Sequence, residues 1–255
     1  MNTTYVLSRY PSFPMMQALI FDVDGTLADT ERDGHRVAFN AAFREAGLPW
    51  NWDVRRYGEL LSVSGGKERM AHYARQVAPD LAARPDFDAF IRKLHTLKTV
   101  HYVQLVAGGA LPLRPGMANM IREARKAGLK LAIASTTSPE NVAALLRASL
   151  AHDAESWFDV IGAGDIVAAK KPAPDIYFWV LERLGLPAAD CLAIEDTAHG
   201  LKAALAAGIP TLVTENGYTR GQDFTGAVAV LPDLAAMCLA ELEVLHQTYD
   251  RHHEI

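Results

Sequence analysis

The 255-residue sequence predicts an α/β fold: a parallel sheet covered by helices on both faces, with a helical domain inserted early in the chain. Three observations carry this. Short apolar runs that stop abruptly at polar residues recur along the chain, the pattern of a buried parallel strand whose carboxyl end opens onto a site. Helix signatures with recognisable ends alternate with them, and strand–helix alternation implies a parallel sheet. The stretch from about Thr30 to Pro112 breaks that rhythm, with helical periodicity and no persuasive strand.

The elements follow in order. Residues 1–15 form an N-terminal extension: Met1 to Pro14 lack the continuous apolar stretch of a signal peptide, and no function is assigned to them. A core domain spans 16–29 and 113–245. Its first strand, Ala18-Leu19-Ile20-Phe21, leads into Asp22. The insert, 30–112, carries apolar helix positions at Val37, Ala38, Ala41 and Ala42, then at Phe87, Phe90, Ile91, Leu94 and Leu97. Leu113-Arg114-Pro115-Gly116 reads as the return hinge. Met117, Met120, Ile121 and Ala124 then make one helix face, closed by Gly128.

Leu131-Ala132-Ile133-Ala134 leads into Ser135, and Ser138 with Pro139 can open the next helix. Val160-Ile161 leads into a glycine-containing stretch ending at Lys171. A helix opened by Pro174 stops at Gly185, and Leu192-Ala193-Ile194 leads into Glu195-Asp196. Leu201 and Leu205 mark a helix ending at Gly208; Pro210 to Val213 and Ala227 to Val230 are further strands. Residues 246–255 form a polar C-terminal tail in which His246, His252 and His253 are expected to be solvated. Cys191 reads as a small core residue.

A net charge of −5, with 25 basic residues and no long basic run, offers no footprint for nucleic acid or an anionic membrane. No run of 18 apolar residues is long enough to span a bilayer. Two distant cysteines without metal-type spacing fit a reducing cytoplasm. Nothing in the sequence fixes an oligomeric state, and a monomer suffices.

Ligands of open α/β sheets bind outside the carboxyl ends of the strands, so the four polar strand ends should converge. They bring together Asp22 and Asp24, Ser135 with Thr136, Lys171, and Glu195 with Asp196. That group holds a nucleophile candidate, an acid/base candidate, hydroxyl donors, a cation and metal-type carboxylates. Hydrolysis of a phosphate monoester requires removal of a barrier on the order of 20 kcal/mol or more, beyond any single residue. Clustered carboxylates repel one another and a phosphate dianion, which calls for a hard cation such as Mg²⁺. Lys171 adds a second positive charge; of the pair Lys170 and Lys171, the one preceding Pro172 is expected to point inward.

Asp22-Val23-Asp24-Gly25-Thr26-Leu27 after an apolar strand resembles the signature of the haloacid dehalogenase-like superfamily. Ser135, Lys171-Pro172-Ala173-Pro174-Asp175 and Glu195-Asp196 fall where its later motifs fall. The resemblance, over about residues 16–245, implies a Rossmann-like parallel sheet core with an inserted small helical cap. It further implies Asp22 as the nucleophile that becomes an aspartyl-phosphate and Asp24 as general acid, then base. Ser135, Thr136 and Lys171 would bind phosphate, and Mg²⁺ would be held by Asp22, the Asp24 backbone carbonyl and Asp196. Glu195 is either a further ligand or a supporting acid.

Thr30-Glu31, His35-Arg36, Gly65-Gly66-Lys67-Glu68-Arg69 and Lys98 look like the CbbY-type sugar-phosphate phosphatases associated with the Calvin–Benson cycle, which are related to β-phosphoglucomutase. That resemblance implies a small sugar (bis)phosphate as partner, with xylulose-1,5-bisphosphate the best match. Glu31 and His35 would contact sugar hydroxyls. Lys67, Arg69 and Lys98, with Gly66, would grip the non-reacting phosphate. Each has a plainer reading: His35 as a structural histidine, Lys98 as a solvated lysine, and residues 65–69 as a helix start with exposed charge pairs. A sugar-phosphate mutase using the same Asp22 chemistry is the alternative activity, and a noncatalytic sugar-phosphate binding protein a further one.

Overall fold

The computed structural model describes residues 15–109 and 111–253, so most of the predicted N-terminal extension lies outside the described residues. Strand β1 (Ala18–Phe21) is followed by a π-helical turn (Glu31–His35) and helices α1 (Arg36–Glu45), α2 (Val54–Leu60), α3 (Gly66–Val77), α4 (Pro79–Ala82) and α5 (Phe87–Ala107). Then come α6 (Met117–Ala127), β2 (Lys130–Ala134), α7 (Pro139–Ser149), β3 (Val160–Gly162) and α8 (Asp175–Leu184). The chain continues through β4 (Cys191–Glu195), α9 (Ala198–Ala206), β5 (Thr211–Thr214), β6 (Ala229–Leu231) and α10 (Leu239–His253).

The sheet is six-stranded and parallel, in the order β3-β2-β1-β4-β5-β6. Successive side chains of a strand point to opposite faces. Leu19 and Phe21 join Leu131, Ile133, Met117, Ile121 and Leu145 on one face, whereas Ala18 and Ile20 join Ala132, Ile176, Val180 and Ala203 on the other. Burial on both faces is why these strands are continuously apolar. The chain order reverses at β1, which lies between β2 and β4. This is the switch point at which such sheets open a crevice.

Residues 31–107 contain only helices and turns, and they enclose their own core of Phe39, Phe43, Trp50, Trp52, Tyr57, Met70, Phe87, Ile91 and Leu94. Packing is largely aromatic: the Phe43 and Trp52 rings meet edge to face at 4.8 Å. The buried face of α1 is Ala38, Phe39, Ala42 and Phe43, one step round from the expected Val37-Ala38-Ala41-Ala42 stripe, because the two phenyl rings point into this cluster. Helix α5 joins both cores, with Phe87, Ile91 and Leu94 in the helical unit and Tyr102 and Val106 in the cluster that also holds Leu19, Phe21 and Leu145.

The excursion begins and ends at one place, an antiparallel bridge between Ala28 and Leu113. Arg114, next to that bridge, is buried. Its guanidinium donates to the carbonyls of Gly25, Thr214 (2.8 Å), Glu215 (2.7 Å) and Pro232 (2.6 Å), and its Nε lies 3.5 Å from Asp29. The rigid five-donor fork can hold several acceptors in one plane. The hinge is therefore stapled to the loop after β1 and to the ends of β5 and β6.

Two expectations need correction. Ser138 occupies the N-cap position of α7, but its hydroxyl makes no cap bond and is buried without a partner. His246 is not solvated: it is fully buried. It lies one turn beyond Leu242 in α10, and residues four apart share a helix face, so it is carried into the core that Leu242 enters. The side chains of His252 and His253 lie outside the described residues. No described helix is long and apolar enough to cross a membrane.

Candidate active site

The strand register builds the site. Phe21 pairs with Ile133 on one side and Ile194 on the other, which sets Asp22, Ala134 and Glu195 at one level at the carboxyl edge. The Asp22 backbone N–H donates to the Ile194 carbonyl at 3.0 Å. Lys171 arrives from the segment between β3 and α8, and it is the inward-pointing member of its pair. Its ammonium donates to Asp22 Oδ1 at 2.7 Å, Glu195 Oε1 at 2.5 Å and the Ala134 carbonyl at 2.7 Å, so all three protons are used. Lys170 turns away and donates to Asp165 at 2.8 Å.

Glu195 is pinned. Its Oε1 also accepts from Tyr177 Oη at 2.5 Å, and Oε2 fills the space beside Gly200, where a Cβ would fall 1.9 Å from it. Asp196 accepts from Asn216 Nδ2 at 2.7 Å and from Thr26 Oγ1 at 3.3 Å. Gly25 runs so close beneath that a Cβ there would lie 2.1 Å from Asp196 Oδ2. Its φ of +86° is one that only glycine adopts freely.

Oxygens of Asp22, Glu195 and Asp196 lie within 4.8 Å of one another, and all three residues are buried. One ammonium facing three carboxylates leaves an excess of negative charge. Burial raises the Asp22 carboxyl to about 7 against the opposing pull of Lys171. Burial, with Asp22 and Glu195 beside it, pushes Asp196 well above the usual carboxylate range. A divalent cation with oxygen preference fits this donor set: it would relieve the repulsion that these shifts record.

Asp24 has a different environment, although only one residue separates it from Asp22. Its Oδ1 accepts from Thr30 Oγ1 at 2.5 Å and lies 2.7 Å from His35 Nε2. Burial alone would raise it, but His35 and Thr30 outweigh burial and hold it well below the usual range. Lys98 Nζ sits 2.6 Å from His35 Nδ1. A charged lysine only donates, so Nδ1 accepts, and the His35 proton lies on Nε2, directed at Asp24. Lys98 is buried against the rings of Phe39 and Tyr102, 5.0 Å from each, and is not a solvated lysine. The His35 ring stacks on Tyr102 at 4.2 Å.

A cavity of about 340 Å³ lies between sheet and helices, lined by Asp22, Asp24, Ser135, Thr136, Lys171, Glu195 and Asp196 below and by Glu31, Gly58, Gly65 and Arg69 above. Glu31 accepts from Tyr57 Oη, which in turn accepts from Arg69 at 2.9 Å. A narrow cleft off this cavity is lined by Gly66, Arg69, Lys98, His35 and Thr136. Lys67 lines neither space; it pairs with Asp165 on the segment after β3, bridging helices and sheet at the rim.

The structure thus gathers Asp22, Asp24, Ser135, Thr136, Lys171, Glu195 and Asp196, with Glu31 and Arg69 facing them. His35 contacts Asp24 and Lys98 contacts His35, and both line the narrow cleft off the cavity. Sequence reasoning missed Tyr177, Asn216 and Tyr57, and it named Thr30 and Arg114 without the contacts they make. Asn216 follows β5 as a polar strand end, the same signal read at four other strands.

Residues 16–208 match the haloacid dehalogenase-like hydrolase family. The chain is 56% identical over 219 residues to the plasmid-borne Protein CbbY of Cupriavidus necator, covering 86% of each. A crystal structure of a CbbY variant from Rhodobacter sphaeroides in complex with xylulose-(1,5)bisphosphate superimposes with a TM-score of 0.83 at 47% identity, over 89% of this chain and 99% of that one. A β-phosphoglucomutase from Clostridium difficile shares the fold at 18% identity and a TM-score of 0.75, covering 93% of this chain and 100% of that one. With its carboxylates and lysine assembled at the switch point of a parallel sheet, the chain belongs to the haloacid dehalogenase-like hydrolases and is a CbbY-type phosphatase.

Proposed function

We propose that this phosphatase hydrolyses a small sugar bisphosphate, xylulose-1,5-bisphosphate first among them, through an aspartyl-phosphate on Asp22 and with Mg²⁺. The observation that carries the reading is the contrast between two carboxylates two positions apart: Asp22 held on Lys171, Asp24 held on His35 and Thr30. Environments that push two carboxyls apart assign them different tasks.

In the first half-reaction a carboxylate oxygen of Asp22 attacks phosphorus and the sugar oxygen leaves. Lys171 favours the ionised form of Asp22 against the burial that raises it, and neutralises charge on the phosphoryl oxygens, together with the Ser135 and Thr136 hydroxyls. In the second, Asp24 takes a proton from a water that attacks the phosphoryl group, regenerating Asp22. Thr30 and His35 both use Oδ1 of Asp24, leaving Oδ2 free to take a proton from the attacking water and to pass that proton to the leaving sugar oxygen of the next substrate. Asp22, the Asp24 backbone carbonyl and Asp196 would hold the Mg²⁺, with Glu195 as a support; bound there it would supply electrostatic stabilisation of the phosphoryl oxygens.

The helical segment 30–112 acts as a cap that excludes water and reads the sugar. Glu31 faces the sugar hydroxyls and Arg69 the non-reacting phosphate, with Lys67 at the rim. His35 and Lys98 line the cleft beside Arg69, where His35 would meet a sugar hydroxyl and Lys98 the same phosphate, and both also hold Asp24. The CbbY relative described with xylulose-1,5-bisphosphate supports the substrate class, and two unpaired cysteines suit a reducing cytoplasm.

The test is phosphate release with and without Mg²⁺ across sugar mono- and bisphosphates, for the wild type and for Asp22→Asn. The expected result is Mg²⁺-dependent release, fastest with pentulose bisphosphates and abolished in the variant. Full activity in Asp22→Asn would overturn the nucleophile. An isomerised product that needs a bisphosphate activator would instead identify a mutase.

A further inference from the structure

Asn216 stands two residues past β5, and every polar atom of its side chain has a partner. Tyr218 N–H donates to Oδ1 at 2.8 Å, so the atom there must be oxygen and the amide nitrogen must face the other way. That nitrogen lies 2.7 Å from Asp196 Oδ2 and 3.4 Å from the Gly25 carbonyl. The orientation of the carboxamide is thus set by its own turn, which Thr219 closes by accepting from Asn216 N–H at 2.9 Å. The side chain in turn sets the rotamer of Asp196 and its distance from the loop after β1. Gly25 has no Cβ at this point, and one placed there would fall 2.8 Å from the Asn216 nitrogen.

The same turn touches the helical unit. The Tyr218 ring lies against Gly58 of α2, where a Cβ would come within 3.1 Å, and meets the Tyr57 ring at 6.3 Å. Tyr57 in turn donates to Glu31. A single turn therefore holds a carboxylate of the acidic cluster at one end and the seat of α2 at the other.

We propose that Asn216 is a positioning residue for the cation: it orients Asp196 and fixes Gly25 beside it, and Tyr218 carries the same turn to the helical cap. The inference rests on the cation-dependent reading above. An outer partner that orients a ligand typically changes metal affinity by 10–100-fold. The test is Mn²⁺ affinity, measured by electron paramagnetic resonance on the protein without substrate, for the wild type, Asn216→Ala and Arg220→Ala. Arg220 lies on the same turn, but its exposed side chain pairs with Glu215 and makes no contact with the carboxamide.

Asn216→Ala is expected to bind Mn²⁺ at least about 10-fold more weakly, while Arg220→Ala stays close to the wild type. Unchanged affinity in Asn216→Ala, or equal losses in both variants, would overturn the positioning role while leaving the cation site intact. A wild type that binds no Mn²⁺ would overturn the cation-dependent reading itself. Should Asn216→Ala fail to fold, Asn216→Ser removes the same amide and is read the same way.

Discussion

His35 Nε2 lies 2.7 Å from Asp24 Oδ1, and the proton on that nitrogen is directed at the carboxylate by Lys98 on the opposite side of the ring. Asp24 is therefore held in one rotamer by an imidazole that cannot rotate without breaking a buried contact. Replacing His35 with alanine removes that hold without touching Asp22, Glu195 or Asp196. We expect kcat to fall by about 100-fold or more, the scale of general acid–base catalysis, while cation affinity stays unchanged. Steady-state kinetics with a metal titration checks this; an unaltered kcat would remove His35 from proton handling.

Gly200 lets Glu195 reach Lys171. A methyl group there would overlap Glu195 Oε2 at 1.9 Å, and the carboxylate has no free direction because Tyr177 and Lys171 hold its other oxygen. Gly200→Ala should displace Glu195, tilt the Lys171 ammonium away from Asp22 and reduce kcat/KM by about 10-fold or more, since roughly 1.4 kcal/mol is a factor of ten. A crystal structure of the variant with unmoved Glu195 would refute the mechanism of the loss.

Arg114 presents a buried charge to four backbone carbonyls, and a lysine in its place supplies a point charge instead of a fork. Arg114→Lys is expected to destabilise the fold by about 3 kcal/mol, within the range for breaking buried charged contacts. Urea unfolding measures it. A change below about 1 kcal/mol would mean that water replaces the missing donors.

The His95 imidazole is pushed down from 6.5 to about 3, first by burial and then by Lys98 and Lys67. Between those two values the unfolded chain binds a proton that the folded chain refuses. Stability is therefore full above about pH 6.5 and falls as the pH drops toward 3. His95→Gln should flatten that decline, seen as a smaller loss of thermal midpoint between pH 7 and pH 5 than in the wild type. Equal losses would assign the acid sensitivity to other groups.

The strand ends were legible because a parallel strand buried on both faces is apolar up to its carboxyl end, as β1 is up to Phe21 before Asp22 and β4 is up to Ile194, with Glu195 as its last residue. Their convergence followed from topology alone. Pairings across the fold were not legible: nothing near Lys98 in the sequence tells that a lysine will be buried against His35, 63 positions away. Tyr177 was hidden for the same reason, since its hydroxyl is used only once α8 brings it to Glu195 at the end of β4. His246 misled because a helix that looks polar at the chain end keeps one face on the core, and a histidine falls on that face.

The bridge between Ala28 and Leu113 makes everything between them a closed loop whose ends already stand side by side. Extending or exchanging the contents of such a loop adds only about 0.6 kcal/mol of closure entropy for each doubling in length. A chain built this way can trade one specificity-bearing segment for another, provided the replacement still supplies what Tyr102 and Val106 contribute to the core shared with the sheet. The reaction and the choice of molecule it acts upon can then diversify separately, across a seam one residue pair wide.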